Sequence, residues 1–263
     1  LPERPPALAR ALGLAASPAK AAEQALRGFK LGGRDPLWQW RTSSQALYTS
    51  NVGQFERGAP AWGTRHRMMG FFYEPVPIAR GAVVAHVDHQ ALRFTEPRYD
   101  YQSLLGSFAL THPVVPHLHL FEGGAMLDRQ PLNATDLALL DTSLYAGLGV
   151  FGNFSPTSAW STTLTVERVA APSLAQSYYG QALKLRYLGQ LGGVATLAGQ
   201  ATVQRIDPVV RTTPYFRGYL EGSLERLLLA GVRAGVQTQL GLENGSQGRQ
   251  AFCVVGPYMQ VTF

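Results

Sequence analysis

The chain has 263 residues, 46% of them hydrophobic and 15% charged, with 28 glycines, 17 prolines, a single cysteine and a formal charge of +6. A soluble domain carries about 25% charged residues; here the deficit comes with a mean hydropathy near zero, so apolar residues must alternate with polar ones. One cysteine excludes a disulfide-stapled scaffold, and no apolar run approaches the ~18 residues of a membrane-spanning helix, which leaves a membrane β-barrel open.

Residues 1–36 hold six basic and three acidic groups, and residues 37–263 hold seventeen and fourteen. Neither part is a nucleic-acid-binding block, and no nucleic-acid partner is expected. Sixteen of the seventeen cations are Arg and the other is Lys184. Guanidinium groups suit a crowded interior where they meet carboxylates, whereas a solvated face more often uses Lys.

The first element in the chain is helical. Ser17 offers an oxygen to the free amides of a helix start, Pro18 pre-sets φ in the first turn, and Gly32 and Gly33 stop the run. The sequence predicts a helix from Pro18 to Lys30, after a shorter one at Ala7–Ala11. Residues 1–36 are therefore read as a helical segment that inserts into the remainder of the chain or docks beside it.

From Trp38 onward the period becomes two. Leu228, Ala230, Val232, Ala234, Val236, Leu240 and Leu242 alternate with Gly231, Arg233, Gly235, Gln237 and Gln239, giving one apolar face and one small or polar face. The same split recurs in Leu140, Leu144, Leu148 and Val150 against Asp141, Ser143, Tyr145 and Gly147.

About twelve such segments succeed one another, near 38–49, 67–77, 81–93, 101–111, 115–127, 136–151, 158–169, 177–189, 194–206, 214–223, 227–242 and 250–263. They exceed the mean strand of about five or six residues and suit a tilted membrane crossing. Connections alternate between loops and turns around Pro77–Arg80, His112–Val114, Gly152–Thr157, Gln190–Gly193 and Leu224–Arg226. The predicted fold for residues 37–263 is all-β: a transmembrane antiparallel up-and-down β-barrel of about twelve strands with a short N-terminal helical segment.

The last stretch, Val255-Gly-Pro-Tyr-Met-Gln-Val-Thr-Phe263, ends on an aromatic with Val261, Met259 and Val255 at two-residue steps before it. It resembles the C-terminal signal of Gram-negative outer-membrane β-barrels, with Pro257 as a departure because a ladder amide is missing there. The chain is also loosely similar to autotransporter translocator domains, as a helix followed by about twelve strands, and to polysaccharide-export porins in its Ala-rich start. The resemblance implies a bacterial outer-membrane location. It also implies contact with outer-membrane lipids and lipopolysaccharide, recognition of the C-terminal strand by barrel-assembly machinery, and envelope partners met through residues 1–36.

A barrel of this class places interfacial aromatics outward, and Trp38, Trp40, Trp160, Tyr179, Tyr187 and Phe263 fit that role. On the opposite parity stand Arg41, Lys184, Arg186, Arg217 and Arg233 with Asp88, Asp141, Glu167 and Glu221, the expected charged lining of a lumen. His86, Ser107, His117 and His119 form an expected polar cluster on one wall. Residues of these types can serve nucleophilic or metal chemistry, but no local signature of such a family accompanies them.

No glycine-rich phosphate loop and no Cys pair is present, so neither cofactor nor metal nor enzymatic activity is expected. The functional expectation is a narrow channel for passage or export of a hydrophilic solute or polymer. Alternatives are a non-conducting barrel that anchors an envelope assembly and a lipid hydrolase built in the lumen.

Overall fold

The computed structural model describes residues 38–51, 60–76, 81–131, 139–172, 174–191, 195–210, 213–229, 231–245 and 248–263. The predicted helix at 18–30 lies outside the described residues. Twelve strands run in order: β1 (Trp38–Thr49), β2 (Ala61–Val76), β3 (Gly81–Phe94), β4 (Tyr101–Val115), β5 (Leu118–Pro131), β6 (Leu139–Ser155), β7 (Ser158–Ala170), β8 (Tyr178–Leu191), β9 (Ala195–Pro208), β10 (Tyr215–Leu229), β11 (Val232–Gly245) and β12 (Gly248–Thr262). Each pairs antiparallel with its sequence neighbours, and β1 pairs with β12 to close the barrel.

Where the strands run past their predicted ends, turn chemistry explains the shift. The β4–β5 reversal falls at Pro116–His117 rather than at 112–114, with His117 in the left-handed region at φ 72°. Pro113 is thereby absorbed into β4 at a register shift between Pro113 and Val115, where a missing amide costs least. The β10–β11 reversal falls at 230–231 rather than at 224–226, because Gly231 supplies the positive φ of 77°. Glu225 can then stay in β10 and face Arg233 across the hairpin.

Closure of the wall is the least regular part of the sheet. The β1–β12 register runs from Arg41↔Thr262 to Thr49↔Val254 but is interrupted at Ala46 and Leu47, opposite Gly256 and Pro257. There the side chain substitutes for the ladder, with Gln45 Nε2 donating to the Gly256 carbonyl at 3.3 Å. A Cβ on residue 256 would collide with the carbonyl of Ala46, so only glycine fits. At the end of the seam the Phe263 amide donates to the Trp40 carbonyl at 2.9 Å.

The two faces of the wall differ as the alternation requires. Leu144, Leu224, Val236 and Met259 are 50–69% exposed on the outside. Between the strands, the short turns and the chain's first and last strand ends share one rim, here the turn end; the loops share the other.

Candidate functional site: the barrel lumen

Registers fix which side chains share the interior. Arg41 aligns with Met69, Met69 with Asp88, and Gln45 with Arg65, so β1, β2 and β3 send these residues inward together. Across the barrel, Arg186, Gln200, Glu221 and Gln239 stand in one register row over β8–β11, with side-chain hydrogen bonds between Arg186 and Gln200 and between Gln239 and Glu221. A twelve-stranded wall lies between eight strands, which side chains fill, and the sixteen or so that leave an aqueous pore.

Three ion pairs brace this interior. Arg67 Nε donates to Asp88 Oδ1 at 2.8 Å, and Arg217 and Arg233 pair with Glu243 and Glu225 on neighbouring strands. Tyr258 Oη also donates to Glu225 at 2.8 Å. Two further carboxylates are held by amides: Gln204 Nε2 donates to Glu167 at 2.6 Å and Gln239 Nε2 to Glu221 at 3.2 Å.

Four cations have no such partner. Among the described residues Arg41, Arg65, Lys184 and Arg186 form no ion pair. Arg65 instead donates to the amide oxygens of Gln45 and Gln237, the latter at 2.8 Å, and Arg186 donates to that of Gln200 at 2.6 Å. Arg41 donates to Gln39 at 3.0 Å and lies over the Phe71 ring at 5.6 Å. Amide oxygens orient a guanidinium without neutralising it.

The exterior is the converse. An apolar belt of Leu, Val, Met and Phe faces outward on β4–β12, flanked by aromatic rings at both rims. At the loop end Tyr48 packs on Trp62 at 5.1 Å; at the turn end Phe154 lies near Trp160 and Tyr187 at 6.1 and 6.3 Å. Trp40 lies across Gly70, its Cζ3 only 2.7 Å from where a Cβ would stand. An apolar exterior with aromatic girdles around a closed polar interior is what a strand-built membrane span requires.

A solved structure shares this fold. The chain is similar to the NanC porin, at 8% identity over 84% of this chain and 98% of that one, with a TM-score of 0.53. It is also similar to the KdgM porin (8% identity, 85% and 99% of the two chains, TM-score 0.47) and to the translocator domain of autotransporter NalP from Neisseria meningitidis (13% identity, 94% of each, TM-score 0.45). No family model and no curated protein sequence matches the chain.

The chain has the fold of a bacterial outer-membrane β-barrel.

All nine charged residues singled out in the sequence take inward positions in this barrel: Arg41, Asp88, Asp141, Glu167, Lys184, Arg186, Arg217, Glu221 and Arg233. Tyr179, Tyr187, Trp160 and Phe263 take outward ones, and Trp38 begins β1 at the turn end. The His/Ser cluster is not a cluster. His86 and Ser107 are register partners, but His119 aligns with Pro113, six residues further along β4, about 20 Å away at the rise of a strand. His117 leaves the wall altogether because it forms the turn, edge-on to Phe151 at 5.6 Å. A Ser107–His117 pairing for lipid hydrolysis is therefore ruled out by register. Among the described residues no group of three His, Cys, Asp or Glu could hold a metal.

Sequence reasoning missed four inward charges: Arg65, Arg67, Glu225 and Glu243. In β2 the signal is masked because Met69, Phe71 and Tyr73 also face inward while His66 and Thr64 face outward. In β10 it is hidden because the alternation alone ends the strand at residue 223, short of Glu225. A second feature of the outside also escaped: Ser44 Oγ and His66 Nδ1 are hydrogen-bonded at 3.0 Å on the apolar exterior.

Proposed function

We propose that this barrel is a narrow channel through which a hydrophilic solute crosses the outer membrane. The observation that carries the reading is a cavity of about 400 Å³ inside the wall, lined from Gln39, Gly231 and Thr262 at the turn end to Gln45 and Arg65 deeper in. Its lining is dominated by guanidinium, amide and hydroxyl groups, which replace the hydration of a polar solute without trapping it. The short turns mark this end as periplasmic by the rule for such barrels, so the cavity opens toward the periplasm. Residues 1–36 precede β1 in the sequence, and β1 begins at that end, which is why we assign them the contact with an envelope partner.

The test is single-channel recording of the purified chain in a planar bilayer, beside a version lacking residues 1–36. Steady openings of the whole chain are expected, with an ion preference altered by Arg186→Glu. Silence from both versions, with each shown folded by heat-modifiable gel mobility, would overturn the channel and favour a structural anchor.

A further inference from the structure

We propose that the cavity lined by Arg41 and Arg65 is a binding site for a small hydroxylated carboxylate. The inference deepens the channel reading and rests on it for the route by which the anion arrives.

Charge is the first argument. Four arginines, Arg41, Arg65, Arg67 and Arg233, line this cavity with one carboxylate, Glu225. Arg67 and Arg233 are matched within the wall by Asp88 and Glu225. Arg41 and Arg65 remain as cations whose hydrogen-bond partners are neutral amides from Gln39, Gln45 and Gln237. Two guanidinium groups enclosed by a low-dielectric wall, with no carboxylate in direct contact and four arginines to one glutamate around the cavity, set up a positive potential that an anion relieves.

An unmet donor is the second. Arg41 Nε is shielded from solvent and makes no hydrogen bond among the described residues, although a buried donor left unpaired is costly. A turn of the Arg41 side chain that brought Nε to the cavity would let a planar carboxylate accept through Nε and Nη together, in a two-pronged contact that a halide or a neutral solute cannot reproduce.

The rest of the lining selects within the anions. Ser43, Tyr258, Gln237 and Gln260 project hydroxyl and amide groups into the same space. Each can donate and accept, which suits the hydroxyls of a polyol chain rather than an alkyl tail. The cavity of about 400 Å³ holds one such molecule rather than a polymer.

The experiment is calorimetric titration of gluconate into the whole chain in detergent micelles, with glucose as the uncharged counterpart. Gluconate is expected to bind and glucose not to. Arg65→Gln and Arg41→Gln should each weaken gluconate at least ~10-fold, the loss typical of one charge-assisted contact. Arg205→Gln, on the outer face and paired with Asp207, should leave binding unchanged. Should the Gln variants fail to fold, Arg65→Lys keeps the charge while removing the planar fork, and is expected to weaken gluconate about threefold or more. Absence of gluconate binding, equal binding of glucose, or unaltered affinity in the folded arginine variants would overturn the site. Conductance without gluconate binding defeats the site alone, and gluconate binding without conductance defeats the channel alone.

Discussion

Arg67 clasps Asp88 across the β2–β3 ladder, with Nε 2.8 Å from Oδ1 and 3.0 Å from Oδ2 while Nη2 reaches Oδ2 as well. The Asp88 side chain is only 10% exposed, so removing the arginine strands a carboxylate inside the wall. Arg67→Ala is expected to destabilise the barrel by about 1–3 kcal/mol, below the ~3–5 of a pair fully removed from water because the Arg67 side chain is 34% exposed. The double variant Arg67→Ala/Asp88→Ala should recover part of the loss, read from urea unfolding in micelles; additive losses would refute the coupling.

Glu225 neutralises Arg233 and accepts from Tyr258 Oη. Glu225→Gln keeps the shape and removes the negative charge, so the lumen potential becomes more positive. A unit charge about 6 Å away in water is worth roughly 0.7 kcal/mol, or about a threefold change in local ion ratio. The reversal potential in a salt gradient should therefore move toward anions by that factor, and a shift toward cations would contradict the assignment.

At the turn-end girdle, the fit of Trp40 over Gly70 leaves no room for a side chain. Gly70→Val should push the indole off the wall while the strands persist. In a version whose other tryptophans are replaced by Phe, quenching by brominated lipid should change markedly; unchanged quenching would mean that the ring does not depend on that glycine.

The seam offers a harsher version of the same experiment. Gly256→Val forces a side chain into the Ala46 carbonyl and against the Leu47 Cα, all of it backbone, with nothing flexible to yield. A loss of at least ~2–3 kcal/mol is expected, visible as a lower temperature for the gel-mobility shift. Gln45→Leu should cost about 1–2 kcal/mol, since it removes the hydrogen bond to Gly256 and the one accepted from Arg65, which keeps its bond to Gln237.

Outside the barrel, Ser44 and His66 satisfy each other in an apolar setting. His66→Leu alone leaves the Ser44 hydroxyl unpaired, at a cost of up to about 1 kcal/mol, whereas Ser44→Ala/His66→Leu removes both polar groups and should be neutral or stabilising. Neither change should alter conductance, because both residues face away from the lumen.

Much of this fold was legible because the alternation has a period of two and the outward residues are so uniformly apolar. Leu220, Leu224, Val236 and Leu240 declare their face, and Glu221 and Arg233 declare the other. Strand ends were less legible, since the φ of His117 and the bulge at Leu227–Leu229 depend on how neighbouring strands finish. The lumen site was legible only as a list of charges. Which cation is neutralised is a matter of stagger between strands: Arg233 meets Glu225 and Arg65 meets two glutamines, and nothing along either strand distinguishes them.

The Phe263–Trp40 backbone bond joins the last residue to one more than two hundred positions earlier. It belongs to the interface of longest sequence separation in the wall, and contacts of that kind form late. Until β12 arrives, β1 presents a row of unpaired amides and carbonyls, a template open to any strand nearby. The barrel is thus a ring with a clasp, fastened only when β12 reaches β1, and a chain lacking β12 would be left as an open, adhesive sheet.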